Sequence, residues 1–460
     1  MNGLKENCGV VGVYGHANVA QTLYHGLFSL QHRGQESCGI VVSDGSTSHA
    51  RRDMGLVWEV FSADTLKTLT GPFGIGHVRY STTGSSSRKN IQPFQIEHQG
   101  ATLAIAHNGN LVNSFTLRER LENHGSIFQS TIDTEIIMHL LVRSKRKTMR
   151  DKLKDALSRL KGAFSLVFLT PEGIAAVKDP WGWRPLCLGK LGDGWMVASE
   201  SCAFDLAGAT YVRELEPGEI LWISKDGLHS DFLPRQRVAH CIFEFIYFSR
   251  PDSLIFGKSV YRARKRLGER MAKEFPFDAD IVVPIPDSGN IAALGFAAEK
   301  KLPFEMGIIR NHYVGRTFIQ PFQASREMDV RIKLNPIREV LKGKRVVIIE
   351  DSIVRGTTSR IRVKNLREAG AKEIYMAVSC PPIMHPCFYG IDFPNPSELV
   401  AAGKTVEEIR ESLGLDGLRY LSRNGMLDAM EIPQERFCTA CFSGDYHIKP
   451  SGFKNKEQFE

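Results

Sequence analysis

The sequence predicts two domains of mixed α and β structure, a layered sandwich of short strands followed by a domain on a parallel sheet. Three observations predict this. From Cys8 to about Ile223 the chain is a succession of short β-type runs with frequent glycine turns and a few helical patterns. Beyond a mixed segment, Lys225–Ser259, helices and strands alternate until about Ala377. Within that second half, Val346–Ser359 reads VVIIEDSIVRGTTS, an apolar strand running into paired acids, a glycine turn and three hydroxyl residues.

A chain of 460 residues is too long for one ordinary core. In the first half, strands are expected at Gly9–Tyr14, Gly39–Val42, Gly74–Tyr80, Ala101–Ala106, Phe164–Leu169, Gly173–Val177, Trp195–Ala198 and Glu219–Ile223. Helical patterns stand at about Ala17–His32, Ser114–Asn123, Asp133–Ser144 and Met149–Leu160. The domain boundary falls near residues 230–255. After VVIIEDSIVRGTTS, a helical pattern with Ile361, Leu366 and Ala369 on one face is capped by Gly370, and the run Ile374–Val378 supplies another strand. The tail from Pro394 reads as helical and polar and ends near a C-x-x-C pair.

Composition excludes several classes. Hydrophobic residues at 42% and charged residues at 24% describe a soluble globular protein. No apolar run reaches membrane-spanning length, and Met1–Asn7 has no apolar core of a secretory leader. Nine cysteines at irregular spacing argue against a disulfide framework and for the cytosol. The net charge of +8 suits anionic substrates. Its one dense basic run, Arg143–Arg150, continues a helical pattern and reads as a solvated face, so neither nucleic acid nor membrane is an expected partner.

A loop at the carboxyl end of a parallel strand, opening a helix, is where such sheets bind ligands. Its free N–H groups and hydroxyls suit a phosphate, and its paired acids suit sugar hydroxyls or Mg²⁺. The segment resembles the signature of type I phosphoribosyltransferases, which bind 5-phosphoribosyl-1-pyrophosphate (PRPP). That resemblance implies that Glu350 and Asp351 meet the ribose hydroxyls while Arg355, Gly356, Thr357, Thr358 and Ser359 cradle the 5′-phosphate. Pro286-Asp287-Ser288-Gly289 follows the apolar run Ile281–Ile285 and opens a small-residue helix. It matches the family's pyrophosphate loop, with Asp287 and Ser288 as contacts and Ser288, Glu350 and Asp351 as the Mg²⁺ set. Arg310–Gln320 resembles the loop that closes over PRPP, with Arg316 as its cation. His312 stands where arginine is frequent in the family, and Glu350 where aspartate is.

The first half carries a second constellation. Cys8 opens an apolar run; Gln31–Glu36, Gly76–Thr82, His107-Asn108-Gly109-Asn110 and Asp133-Thr134-Glu135 follow. A thiol, amide donors, an arginine and an aspartate are what hydrolysis of an amino acid's carboxamide needs. Read singly, H-N-G-N also suits a hairpin turn, Arg79 and Asp133 an ion pair, and Cys8 a small buried hydrophobe. A histidine is one candidate base; the α-amine of Cys8, freed by removal of the seven-residue leader, is another. As an ordered set, these segments resemble the class II glutamine amidotransferase domain, an N-terminal-nucleophile hydrolase whose fold is a four-layer αββα sandwich. The resemblance implies Cys8 as nucleophile, Asn108 and Gly109 as oxyanion hole, and Arg79 and Asp133 as the glutamine-binding pair.

Together the halves resemble the PRPP-dependent glutamine amidotransferases of purine synthesis. This implies residues 1–7 as a propeptide, 8–235 as the glutaminase domain, 255–420 as the type I phosphoribosyltransferase domain and 421–460 as a C-terminal tail. It also implies ammonia transfer to PRPP giving 5-phosphoribosylamine, feedback by purine nucleotides, and a homodimer or homotetramer. One branch of that family holds a 4Fe–4S cluster through cysteines at the positions of Cys241, Cys387, Cys438 and Cys441. Cys38, Cys187, Cys202 and Cys380 read as buried thiols. Another glutamine-dependent amidotransferase would lack the Glu350–Ser359 loop, and a PRPP-binding regulator would have no use for Cys8.

Overall fold

The computed structural model describes residues 8–80, 86–311, 334–392 and 395–449. The first domain contains β1 (Gly9–Tyr14), β2 (Ser37–Ser43), β3 (Ser48–Met54), β4 (Phe73–Arg79), β5 (Phe94–His98), β6 (Ala101–Leu111) and β7 (Gly162–Thr170). It continues with β8 (Gly173–Lys178), β9 (Cys187–Leu191), β10 (Gly194–Ala198), β11 (Thr210–Glu214), β12 (Glu219–Ser224) and β13 (Gly227–Phe232). These pair into two antiparallel sheets, ordered β11-β9-β10-β1-β4-β2-β3 and β13-β12-β8-β7-β6-β5.

The period of two along each strand explains why these runs look continuously apolar. Val10 and Val41 face Ala106, Val167 and Ala176 in the core between the sheets. Their neighbours Val11, Ile40 and Val42 point outward, where Leu23 and Leu27 of helix Val19–Ser29 and Phe204 of helix Cys202–Ala207 cover them. On the other sheet, Leu166 and Phe168 meet Ile137, Leu141 and Leu153 from helices Thr134–Arg143 and Met149–Leu157. With both faces of both sheets buried, the result is the four-layer αββα sandwich.

The second domain's sheet is parallel, in the order Ile281–Pro284, Arg345–Glu350, Glu373–Val378, Gly417–Tyr420. Val282, Val283 and the run Val346–Ile349 form its core. Between the domains lies a buried π-helical turn, Glu244–Phe248.

Three sequence expectations change. His107–Leu111 continues β6 instead of turning, because it pairs with Gly162–Leu166 of β7. The tail is not wholly helical, since Gly417–Tyr420 adds a strand to the parallel sheet. The basic run does not prolong its helix: Thr134–Arg143 ends at Arg143, and Thr148 caps a new helix by accepting from the Asp151 N–H. Among the described residues, no helix is long and apolar enough to cross a membrane.

Helices Val260–Glu274 and Asn290–Lys300 cross at backbone contact. A Cβ on Gly268 would stand 1.8 Å from the Ala292 carbonyl oxygen. Helix propensity alone favours alanine by about 1 kcal/mol, whereas the clash requires the helices to part, a cost of about 3 kcal/mol for overpacking. Gly268→Ala is therefore expected to lower the melting temperature in thermal denaturation; an unchanged or higher value contradicts the contact.

Candidate active sites

Cys8 directly precedes β1, and Gly9 pairs with Val78 on β4, so the thiol lies beside the end of β4 where Arg79 and Tyr80 sit. Its Sγ–H donates to the Tyr80 carbonyl at 3.3 Å, and its own carbonyl accepts from Arg33 Nε at 3.2 Å. Burial pushes the thiol up to about 11, while Arg79 pulls it down and Asp133 pushes it up. Both of the expected glutamine-binding residues thus act on the expected nucleophile.

Asn108 and Gly109 are held in β6 opposite Ser165 and Phe164. Gly109 has φ +149°, and a Cβ there would lie 2.1 Å from the Ala163 oxygen, so only glycine fits. Asn108 is 1% exposed, and neither its Oδ1 nor its Nδ2 has a hydrogen-bond partner among the described residues. A buried amide with both ends unpaired is unfavourable by about 1–3 kcal/mol; a site kept for a ligand explains it. Asp133 accepts from the Leu111 N–H at 2.9 Å and approaches His107 Nδ1 at 3.4 Å. Burial pushes Asp133 up, but His107 and these hydrogen bonds outweigh it and hold the carboxyl below its usual range. His77 Nε2 contacts the His107 carbonyl at 3.0 Å, and burial holds His77 down at about 3, hence neutral.

The second site forms where strands Ile281–Pro284 and Arg345–Glu350 end side by side, Pro284 opposite Ile349. Ser288 Oγ–H donates to Asp351 Oδ1 at 2.5 Å, joining the two expected loops. Glu350 is 4% exposed and paired with Arg362. Burial pushes its carboxyl up to about 8, Arg362 pulls it down and Asp351 pushes it up. Gly356, with φ +75°, is the N-cap of helix Thr357–Glu368, whose first N–H groups make an anion site. Asp287 pairs with Arg310. Arg355 is turned toward Glu398, at 2.7 Å, and so is engaged outside the expected phosphate cradle. Arg316 and His312 lie outside the described residues. Among the described residues, no three His, Cys, Asp or Glu side chains converge on one cation. Two carboxylates and a hydroxyl are nevertheless the partial oxygen set that Mg²⁺ takes when substrate and water complete its shell.

A third feature lies between the domains. Cys241 pairs with Cys438 in a two-stranded parallel ladder, and Cys241, Cys387, Cys438 and Cys441 line one cavity walled by Trp183, Phe243 and Tyr389. Burial pushes each of the four thiols up. Four thiols lining one cavity are the donor type and number that an iron–sulfur cluster takes. Cys38, Cys187, Cys202 and Cys380 are buried free thiols elsewhere.

A model of the glutamine amidotransferase domain matches residues 77–205. The amidophosphoribosyltransferase of Bacillus subtilis is 50% identical over 97% of this chain and 95% of its own length. Amidophosphoribosyltransferase 1 of Arabidopsis thaliana, a chloroplastic protein, is 50% identical over 98% of this chain and 80% of its length. The chain belongs to the amidophosphoribosyltransferase family. Among solved structures, the glutamine PRPP amidotransferase of B. subtilis complexed with ADP and GMP superposes with a TM-score of 0.93 at 47% identity, covering 98% of this chain and 100% of that one. A structure described as the allosteric regulatory enzyme of purine biosynthesis gives 0.94 at 48% identity, covering 98% and 99%.

Membership accounts for the pairing of an amide-hydrolysing half with a phosphoribosyl-binding half. It leaves some site residues to be found by geometry. Arg33 stands in a segment singled out for its composition, yet its grip on the Cys8 carbonyl has no sequence signal. The same holds for Arg362 against Glu350 and for His107 against Asp133. In an amidophosphoribosyltransferase, Gly109→Ala is expected to lower glutamine-dependent turnover by about 10²-fold or more, with ammonia-dependent turnover retained; a steady-state assay with each nitrogen donor checks this.

Proposed function

We propose that the chain hydrolyses glutamine at Cys8 and passes the ammonia to PRPP at the Glu350–Ser359 loop, giving glutamate, pyrophosphate and 5-phosphoribosylamine, the entry step of purine synthesis. The observation that carries the first half is the buried amide of Asn108, next to Gly109 on β6 and without a partner among the described residues. Cys8 Sγ attacks the glutamine amide carbon, and Asn108 Nδ2 and the Gly109 N–H receive the oxyanion. Arg79 holds the substrate α-carboxylate and Asp133 its ammonium. Ammonia departs with the proton taken from the thiol, and water releases glutamate from the thioester.

A thiol pushed up to about 11 needs a base at hand. We assign this to the α-amine of Cys8, exposed when Met1–Asn7 is removed; its reference pKa of about 8 suits proton transfer near neutrality. His77 meets the His107 carbonyl through Nε2, and burial holds its ring down at about 3, too weak a base for this thiol.

At the second site, the N-terminus of helix Thr357–Glu368 takes the 5′-phosphate, Glu350 and Asp351 take the ribose hydroxyls, and Asp287 and Ser288 face the pyrophosphate. Mg²⁺ on Ser288, Glu350 and Asp351 would supply charge compensation for the pyrophosphate. Ammonia displaces pyrophosphate at the anomeric carbon, and Arg316 belongs to the loop assigned to cover it. A 4Fe–4S cluster on Cys241, Cys387, Cys438 and Cys441 would supply a structural tie across the junction. Purine nucleotides of the ADP and GMP kind are the expected inhibitors, as ligands of the B. subtilis relative. A homodimer or homotetramer in the cytoplasm is the expected setting.

PRPP-dependent glutamate release tests the reading. Cys8→Ala is expected to lower glutamine-dependent synthesis by about 10³-fold or more while keeping synthesis from ammonia; a variant still active with glutamine refutes Cys8 as nucleophile. Mass analysis of the active protein should find Cys8 at its N-terminus, and an intact Met1 overturns the α-amine as base. Protein prepared without air should carry about four irons per chain, and Cys438→Ser should lower that content; iron-free protein refutes the cluster.

A further inference from the structure

The proposed glutamine site depends on the relative placement of a nucleophile just before β1 and an oxyanion hole on β6, strands of different sheets. We propose that Glu244, on the buried turn between the domains, is a positioning residue that sets this placement. The proposal rests on the roles assigned above to Cys8 and Gly109.

Glu244 is 0% exposed and held by two guanidiniums from the glutaminase domain. Arg33 meets it in parallel contacts of 2.9 and 3.0 Å, and Arg184 at 3.1 Å. Each arginine also donates to the backbone on one side of the reaction centre, while Arg33 Nη1 meets Glu200 as well. Arg33 Nε donates to the Cys8 carbonyl at 3.2 Å, so the backbone of the nucleophile is referred to Glu244. Arg184 donates to the Tyr389 carbonyl from Nη2 at 2.7 Å and from Nε at 3.2 Å. The Tyr389 segment in turn abuts the end of β6 that carries Asn108 and Gly109. Asn110 Nδ2–H donates to the Phe388 carbonyl at 2.9 Å, and a Cβ on Gly390 would stand 2.9 Å from the Gly109 carbonyl carbon, so the two backbones touch. One carboxylate therefore joins both halves of the hydrolytic apparatus, through a planar bidentate contact with Arg33 and a single hydrogen bond from Arg184.

Glu244 is also tied to the second domain. Arg264, on helix Val260–Glu274, donates to the carbonyls of Phe245, Tyr247 and Ser249, and Ser249 Oγ–H donates back to Glu244 at 2.8 Å. Any shift of that helix reaches Glu244 through its own turn.

Glu244→Asp tests this, since it keeps the charge that the two buried arginines need and withdraws the carboxylate by one methylene. Arg184→Lys is the second variant, keeping charge but not the double contact with Tyr389. Glutamine-dependent kcat is expected to fall by about 10- to 100-fold in each. The KM for glutamine should stay near wild type, because Arg79 and Asp133 are untouched, and kcat with ammonia should be unchanged. Alkylation of Cys8 by a glutamine-shaped electrophile should slow by the same factor. Equal losses with both nitrogen donors mean a merely structural role and overturn the proposal; so does an unchanged glutamine kcat or an effect confined to KM. Failure of the Cys8 assignment is separately visible, because Cys8→Ala would then retain glutamine-dependent activity.

Discussion

Four charges buried where the domains meet, Arg33, Arg184, Glu200 and Glu244, constrain the rest of the molecule. Charges without water must be paired and hydrogen-bonded, because an uncompensated buried ion is destabilising by about 3–5 kcal/mol. Each member therefore holds its neighbours in place: Glu200 also accepts from the Ser253 hydroxyl and the Arg250 N–H, and His32 Nε2 lies 2.8 Å from it. The four charges sum to zero, and their outward contacts run to protein groups: carbonyls for the arginines, a hydroxyl, an N–H and an imidazole for Glu200. A network of this kind contributes little net stability against an apolar substitute, but it tolerates few alternative arrangements. That is a reason to find it between two domains that must share an intermediate.

The legibility of the sequence follows the same division between what is local and what is not. Strands buried on both faces, β1, β2, β7 and β8 among them, carry continuous apolar runs and were readable. The strands missed include β3, β5, β11 and β13, which are the four edges of the two sheets. An edge has one neighbour and much solvent, so β3 can read SHARRDM and β13 GLHSDF without any apolar alternation. Ligand-binding loops were legible because they concentrate unusual chemistry in consecutive residues. The groups that orient them were not, since Arg33 and Glu244 meet across 211 positions of chain and each alone is an ordinary charged residue.

The two sites also differ in how they are built. The proposed glutamine site sits on strands, with Gly109 clamped against Ala163 and Asn108 fixed in a ladder, which suits the rigid oxyanion hole assigned to them. The proposed phosphoribosyl site sits on loops at strand ends, tied across by Ser288 and Asp351, which suits a substrate that must be covered and released.

The parallel pairing of His240–Cys241 with Phe437–Cys438 has a temporal meaning. During synthesis the αββα sandwich is complete long before Phe437 leaves the ribosome, and domains fold in the order they emerge. The junction strand His240–Cys241 must then wait, half paired, for a partner made after the entire parallel sheet. The cysteine-lined cavity therefore cannot close before Phe437–Cys441 has been made, after every strand of the sandwich and of the parallel sheet.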